Sequence, residues 1–414
     1  MRDILGQGGD GPSGPWPLRL AVIAVLLLAA VVIAVHLPRH HQAGRPARSA
    51  GTARPARRAA PDSGGAAAGP DGVAGQTLPW DGSLRLPVTG AQPAWFWPGT
   101  GRSRPIGGLP RDGSGYQFLA LASGWAVQAN PGSQPGQPGP VGQSGQSGQS
   151  GCGCAGPPRP VYFLGAGARS VSQIGVADEV APAATPGAVW LTSYPPGADT
   201  STAAGTAQEV AVTGTPIGPQ VRLPAGYAIA QGTARGLLLA PVAQRTGVAT
   251  YTLWEPAAAQ AYRTFDGVIA ANGNEIAWAD GCVPLCQVQM LNLATGRRAT
   301  VELPGASSAV NGAFSPDGEL LALEVSLDNG GDDGALATQL DVASAATGRV
   351  SVVPDTFVSS DALDGFGWPA GGDSLIAELS FTTKVQVTSW YPGAAHLAVA
   401  AIRPGPSSTS LIVG

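Results

Sequence analysis

The chain has 414 residues, 23 basic and 27 acidic, with a formal net charge of −4, and its 60 glycines and 38 prolines mark it as rich in turns. From Ser83 onward 15 basic residues stand against 22 acidic ones, a balance that argues against nucleic acid as a partner. The first ~80 residues carry no core pattern, which leaves about 330 for a single closed domain.

At the N-terminus, Gly6-Gln7-Gly8-Gly9-Asp10-Gly11 matches the G-x-G-x-x-G pattern. No strand precedes it and no βαβ unit surrounds it, so residues 1–17 read as a tail and no dinucleotide or other cofactor is implied. Leu20 to Val35 is a run of 16 apolar residues, extendable to Leu18 and Leu37 if Arg19 snorkels. It predicts one transmembrane helix over residues 18–37, at the short end of what spans a bilayer. A cleavable signal peptide is the alternative, but Pro38, Arg39, His40 and His41 follow the run in place of a small-x-small site.

Two rules disagree on orientation. Arg2 and Arg19 precede the helix, whereas Arg39, Arg45 and Arg48 follow it, which by the positive-inside rule would put the large domain in the cytoplasm. All four cysteines lie beyond the helix, and the close pair in Cys282-Val283-Pro284-Leu285-Cys286 suits an oxidising compartment. The expectation is a single-pass protein of the cell membrane with a cytoplasmic tail and an extracytoplasmic C-terminal domain. Residues 38–82 form a basic stalk of Ala, Gly, Pro and Arg, too poor in apolar surface to fold.

The folded domain is expected over residues 83–414. Three short runs open it, around Leu84, Trp95 and Pro105, and six strand-rich units follow between Gly115 and Ala401. The first of these units is interrupted at 131–158 by a Gly/Gln/Ser/Pro-rich insert in which Gly142-Gln143-Ser144 recurs twice more. Val189-Trp190-Leu191 leads to Val210-Ala211-Val212, and Leu237-Leu238-Leu239 leads to Tyr251-Thr252-Leu253-Trp254.

The clearest repeat is Phe314-Ser315-Pro316-Asp317-Gly318-Glu319-Leu320-Leu321-Ala322-Leu323. Pro316 fixes φ, Asp317 can bond its own backbone and Gly318 allows the left-handed region, so the segment closes a hairpin. Its echoes begin at Ala271 and Trp368, in steps of 43 and 54 residues. Leu291 to Arg297 and Asp341 to Arg349 each add a strand and a Gly-containing turn before an outer strand holding Val301 or Val352.

This phrase resembles the strand–turn–strand repeat of TolB-type and WD-repeat-like β-propellers, and the spacing suits four-stranded blades. The resemblance implies an all-β, seven-bladed β-propeller, with six or eight blades as alternatives and a β-sandwich as the competing all-β architecture. The seventh blade would combine the three runs near the start with Ser410 to Val413, closing the ring and removing its open edges.

Candidate chemistry is sparse. His396 is the only histidine beyond the stalk, no G-x-S-x-G elbow accompanies it, and it is expected to be a satisfied strand histidine. Cys282 and Cys286 are expected to form a disulfide, because a turn between two strands can bring their Cα atoms within ~4.4–6.8 Å. Cys152 and Cys154 are a second candidate pair, and nothing in the spacing brings the four thiols together for zinc. Asp328 to Gly334 reads as an acidic inter-strand loop lacking the EF-hand pattern, so no metal is implied.

Asp280, Asp361, Asp364 and Glu378 are available carboxylates for glycoside hydrolysis, with no spacing that pairs them. Trp95, Trp97, Trp125, Trp190, Trp254, Trp278, Trp368 and Trp390 are expected to pack the blades. The function expected is non-catalytic binding of a protein, peptide or cell-envelope polymer by a membrane-anchored scaffold. The alternative is an extracellular hydrolase or lyase acting on glycans or polyanions.

Overall fold

The computed structural model describes Trp80 and residues 84–402 apart from 90–91, 111–114, 130–156, 244–247, 283–284, 329–335, 360–361, 370–371 and 382–383. The predicted tail, helix, most of the stalk, the bulk of the insert, Cys152, Cys154, Asp361 and Ser410 to Val413 therefore lie outside the described residues. No helix among the described residues is long and apolar enough to cross a membrane.

Seven antiparallel sheets follow one another along the chain. Among the described residues blade 1 has three strands, β1 (Leu86–Val88), β2 (Ala94–Trp97) and β3 (Arg102–Pro105). Blade 2 comprises β4 (Tyr116–Leu121), β5 (Gly124–Ala129), β6 (Arg159–Gly165) and β7 (Ser172–Ala177). Blade 3 comprises β8 (Glu179–Pro182), β9 (Ala188–Ser193), β10 (Thr206–Ala211) and β11 (Pro216–Arg222). Blade 4 comprises β12 (Tyr227–Thr233), β13 (Gly236–Pro241), β14 (Thr250–Glu255) and β15 (Gln260–Asp266).

Blade 5 follows with β16 (Val268–Ala271), β17 (Glu275–Ala279), β18 (Cys286–Asn292) and β19 (Arg298–Leu303). Blade 6 holds β20 (Ala306–Phe314), β21 (Leu320–Asp328), β22 (Leu336–Ser344) and β23 (Val350–Val352), with β24 (Val358–Ser359) pairing beside β22. Blade 7 ends the series with β25 (Leu363–Gly367), β26 (Leu375–Phe381), β27 (Lys384–Trp390) and β28 (Ala398–Ile402). The six units read between Gly115 and Ala401 are thus the six blades that have four or more strands.

The ring closes through its cores. Leu237 and Leu239 pack with Ala207 and Leu223 of the blade 3 side, while Leu238 between them packs with Ile276 and Leu291 of blade 5. Alternation along one strand thus feeds two interfaces, which is why a short wholly apolar run is the signature of a strand covered on both faces. Further clusters join blades 2 and 3, 5 and 6, and 6 and 7 in the same way. Blade 1 completes the circuit: Leu86, Val88 and Phe96 pack on Ile376 and Val387 of blade 7, and Trp95 packs on Trp125, Val127 and Leu164 of blade 2. Seven sheets share seven apolar interfaces, so no blade face is left at an open end.

The turns obey their sequences. At Ser315 to Leu320 the Asp317 carboxylate accepts hydrogen bonds from Ser315 Oγ and the Glu319 N–H, and Ser315 Oγ accepts one from the Leu320 N–H at 2.9 Å. Asn292 plays the same part in the third-to-fourth strand turn of blade 5, its Oδ1 accepting from Thr295 N and Oγ1, both at 2.9 Å. Tryptophans pack as expected: Trp95, Trp125, Trp254, Trp368 and Trp390 are buried, and Trp95 meets Trp125 edge-on at 5.3 Å.

Candidate functional site

A meander puts its first and third turns at one end of a blade, and its middle loop plus the link to the next blade at the other. In blades 2 to 6 the longest connections are the middle ones, at this second, loop end: 130–158, 194–205, 242–249, 280–285 and 329–335; blade 7 is the exception, its longer connections 368–374 and 391–397 being the first and third turns. The insert, the cysteine pair and the acidic stretch after Asp328 all fall there.

At the loop end of blades 2 and 3 lies a polar knot. Arg159, just after the insert, donates to the carbonyls of Ala129 and Asp178, and Gln128 Nε2 donates to the Ala177 carbonyl at 2.8 Å. The Asp178 carboxylate accepts from the Tyr194 N–H at 2.7 Å, and the Tyr194 hydroxyl donates to Glu179 Oε2 at 3.1 Å. Burial pushes the Glu179 carboxyl above its ordinary range, partly offset by the Tyr194 hydroxyl, and burial together with Glu179 pushes the Tyr194 phenol well above its own. The carboxylates here are tied into the scaffold, and the Arg159 and Gln128 bonds fix both roots of the insert.

The Sγ atoms of Cys282 and Cys286 are bonded, with Cα atoms 3.6 Å apart, a tighter turn than the expected ~4.4–6.8 Å. Cys286 opens β18 in the loop-end connection from β17. His396 departs from expectation. It lies exposed in the connection between β27 and β28, because the segment after Trp390 leaves the ladder at Tyr391-Pro392-Gly393 and rejoins it only at Ala398.

Of the remaining carboxylate candidates, Asp280 stands apart on blade 5, while Asp364 and Glu378 are on paired strands of blade 7. Asp280 is exposed after β17, where its Oδ2 accepts from Gln289 Nε2 at 3.3 Å. Asp364 lies on β25, at an irregularity in its pairing with β26, and Glu378 is buried on β26 opposite Gly365. Among the described residues no His, Cys, Asp and Glu side chains gather as a metal-holding group.

A second candidate site is at the opposite, turn end, between blades 5 and 6. There Glu275, Met290, Asn292, Arg297 and Ala299 of blade 5 face Asp317 to Leu320 and Ser344 to Ala346 of blade 6 across a cleft of about 390 Å³. Glu275 is only 9% exposed. Its Oε1 accepts from Asn292 Nδ2 at 2.7 Å, and its backbone N–H is held by Asn272 Oδ1 at 2.7 Å. A Cβ on Gly318 would come within 2.5 Å of Glu275 Oε2, and φ there is +74°, so only glycine gives both the turn and room for the carboxylate. Ser315 Oγ and the Glu319 N–H hold the Asp317 carboxyl below its usual range. Three carboxylates and one guanidinium line a cleft without Cys or His.

None of the predicted site residues lies in this cleft. One signal was available. The last residues of the inner strands pair as Ala271 with Ile276, Phe314 with Leu321 and Gly367 with Ile376, which makes Glu275 the equivalent of Leu320 and Leu375. A carboxylate occupies a leucine slot.

Seven four-stranded or near-four-stranded antiparallel sheets joined through seven cores define a seven-bladed β-propeller. The chain matches no protein-family model and no curated protein sequence. Among solved structures it is similar to TolB from Acinetobacter baumannii, at 13% identity over 72% of this chain and 81% of that one, with a TM-score of 0.39. It is also similar to a prolyl endopeptidase, at 12% identity, 78% and 47% coverage and a TM-score of 0.45. A third likeness is to Kuenenia stuttgartiensis hydrazine synthase, at 13% identity, 59% and 79% coverage and a TM-score of 0.36. At these identities and TM-scores the likenesses assign this chain neither a family nor a chemistry.

Proposed function

We propose that this chain is a membrane-anchored binding propeller that holds a protein, peptide or cell-envelope polymer without transforming it. In this reading residues 18–37 form the anchor, residues 38–82 the stalk, and the propeller lies outside the cytoplasmic membrane. The observation that carries the binding function is the cleft between blades 5 and 6. Its volume suits a side chain or short ligand segment. It holds no activated nucleophile, and its Asp317 is kept ionised by the turn, which suits electrostatic attraction and not general-acid catalysis. The hydrolase reading needs a carboxyl pair converging on one ligand position; Asp280 stands apart on blade 5, and although Asp364 and Glu378 lie on the paired strands β25 and β26, Glu378 is buried and has a partner within the fold.

The test is photo-crosslinking in the native host with a photoreactive residue at Ala346 on the cleft rim and, as control, at Tyr262 on the exposed outer strand of blade 4. A discrete adduct from Ala346 alone is expected. No adduct from Ala346, or the same adducts from both positions, would count against a binding site at the cleft. A reporter fused after Gly414 tests the placement, and a cytoplasmic signal would remove the extracytoplasmic reading.

A further inference from the structure

Blade 1 has one strand fewer than the other blades among the described residues, and the position left over is the innermost one. All three residues of β1 are buried, as are the first five of the second strands β5 and β26, whereas all four residues of β3 are exposed, the pattern of an outermost strand such as β11. Packing agrees. Leu86, Val88 and Phe96 meet Ile376 and Val387 on the second and third strands of blade 7, and Trp95 meets Trp125 and Leu164 on the second and third strands of blade 2. Just after β3, Gly107 bridges Ser170 in the parallel sense beside the start of β7, the outermost strand of blade 2. Outermost strands of neighbouring blades run the same way, and a third strand would run against β7. So β1, β2 and β3 are the second, third and fourth strands of their blade, and β1 is paired among the described residues only on its β2 side.

The path of the chain says what belongs on the other side. In blades 2 to 5 the outermost strand leads straight into the innermost strand of the next blade, through Asp178 alone from β7 to β8, Gly267 alone from β15 to β16, and residues 223–226 and 304–305 in the other two cases. The outermost strand of blade 7 is β28, and the next blade around the ring is blade 1. Residues 403–414 follow β28, lie outside the described residues and contain the apolar run Leu411-Ile412-Val413. We propose that the inner edge of β1 is the docking site of Ser410 to Val413, which forms the innermost strand of blade 1 and lines the central channel. An outermost strand finishes at the loop end and an innermost strand starts there, and the residues between Ile402 and Ser410 can span roughly 23 Å, ample for that passage. Pro87 withholds one donor from β1, so the joint is a short one. This inference goes beyond the binding function and does not rest on it. It closes the edge at which a partner's strand would otherwise add to the sheet.

Hydrogen exchange of purified full-length protein, read by mass spectrometry of peptic fragments, tests it. The amides of Leu411 to Val413 should exchange roughly a hundredfold more slowly than those of an unstructured chain. Ile412→Pro should return them to the unstructured rate and speed exchange around Leu86 to Val88, leaving blade 4 as it was; Ser407→Pro, in the connection, should do neither. If Ile412→Pro does not fold, a photoreactive residue at Ser410 of the otherwise unaltered chain should form an adduct within the same molecule to the fragment holding Leu86 to Val88.

Unstructured exchange rates at Leu411 to Val413 in the unaltered protein would overturn the proposal, as would adducts from Ser410 to fragments remote from blade 1. Protection that rises with protein concentration, or adducts between two chains, would assign the edge to a second copy and overturn it as well.

Discussion

Truncating one leucine in blade 1 and another far from it measures whether the ring is closed. Leu86 is 1% exposed and packs with Val88, Phe96, Ile376 and Val387 where blade 1 meets blade 7; Leu238 is 0% exposed between blades 4 and 5. A buried Leu→Ala change costs roughly 2–5 kcal/mol, the transfer loss plus the cavity left behind. The blade 1 cluster is small and its sheet has three described strands, so Leu86→Ala belongs at the low end, about 2–3 kcal/mol, and Leu238→Ala nearer 4 kcal/mol. Specific unfolding entropy scaled to a domain of this size gives roughly 1.5 °C per kcal/mol, hence shifts of about 3–5 °C and 6 °C. In a closed ring both variants should shift one shared transition followed by tryptophan fluorescence and by circular dichroism. An open stack of blades would instead fray at its end: Leu86→Ala would then raise amide exchange in blade 1 and leave the main transition in place. That outcome would refute closure through blade 1.

Non-reduced peptide mapping of protein from its native compartment should recover Cys282 and Cys286 in one linked fragment; two free thiols there would reject the bridge and weaken the extracytoplasmic placement. Asp317→Asn should cost about 1 kcal/mol in the turn through weakened hydrogen bonds. Because the Asp317 carboxyl is held low in the fold, its contribution is present above the ordinary carboxylate range and is lost as pH falls through the folded value; the variant's urea midpoint should therefore be less sensitive to acid. Tyr194→Phe removes a hydrogen bond to Glu179, whose carboxyl burial already raises. A raised carboxyl favours the fold below its unfolded value and loses that advantage as pH rises through the folded one, so the variant should lose more stability at neutral pH than in mild acid. Equal losses at both, read from urea titrations, would count against a charged Glu179 in that knot.

Periodicity and turn chemistry were legible in the sequence because the fold depends on them locally. The Ser315 to Gly318 phrase closes its hairpin with bonds among its own residues, and Leu237 to Leu239 can be covered on both faces only between two sheets. Ring closure at blade 1 was partly legible: the runs near Leu84, Trp95 and Pro105 do form a sheet, but the packing of Leu86 and Val88 on Ile376 spans nearly the whole chain and leaves no local mark. The cleft was hidden for the same reason. Glu275 and Asp317 are 42 residues apart and meet only because consecutive blades repeat one turn geometry. His396 misled because its neighbours Leu397 and Ala398 are buried, Ala398 opening β28, while His396 itself stands exposed before the strand begins.

The two ends of the propeller divide the labour. At the loop end, titratable groups are consumed by the scaffold: Asp178 takes the Tyr194 N–H, Glu179 the Tyr194 hydroxyl, and Arg159 the carbonyls on either side of the insert's roots. Their work is to let a long insertion enter a blade without separating β5 from β6, which pair from Gly124–Gly165 to Gln128–Val161. In blades 5 and 6 the turn-end connections are short and bonded among their own residues, and the Glu275 carboxylate is held between them. Glycine at 318 and the Asn292 side chain are then two halves of one arrangement, the first making space for Glu275 and the second fixing its direction. A nearly buried acid where the next two blades carry leucine is thus held at both turns of its own blade, Asn272 accepting from its backbone N–H and Asn292 donating to its carboxylate.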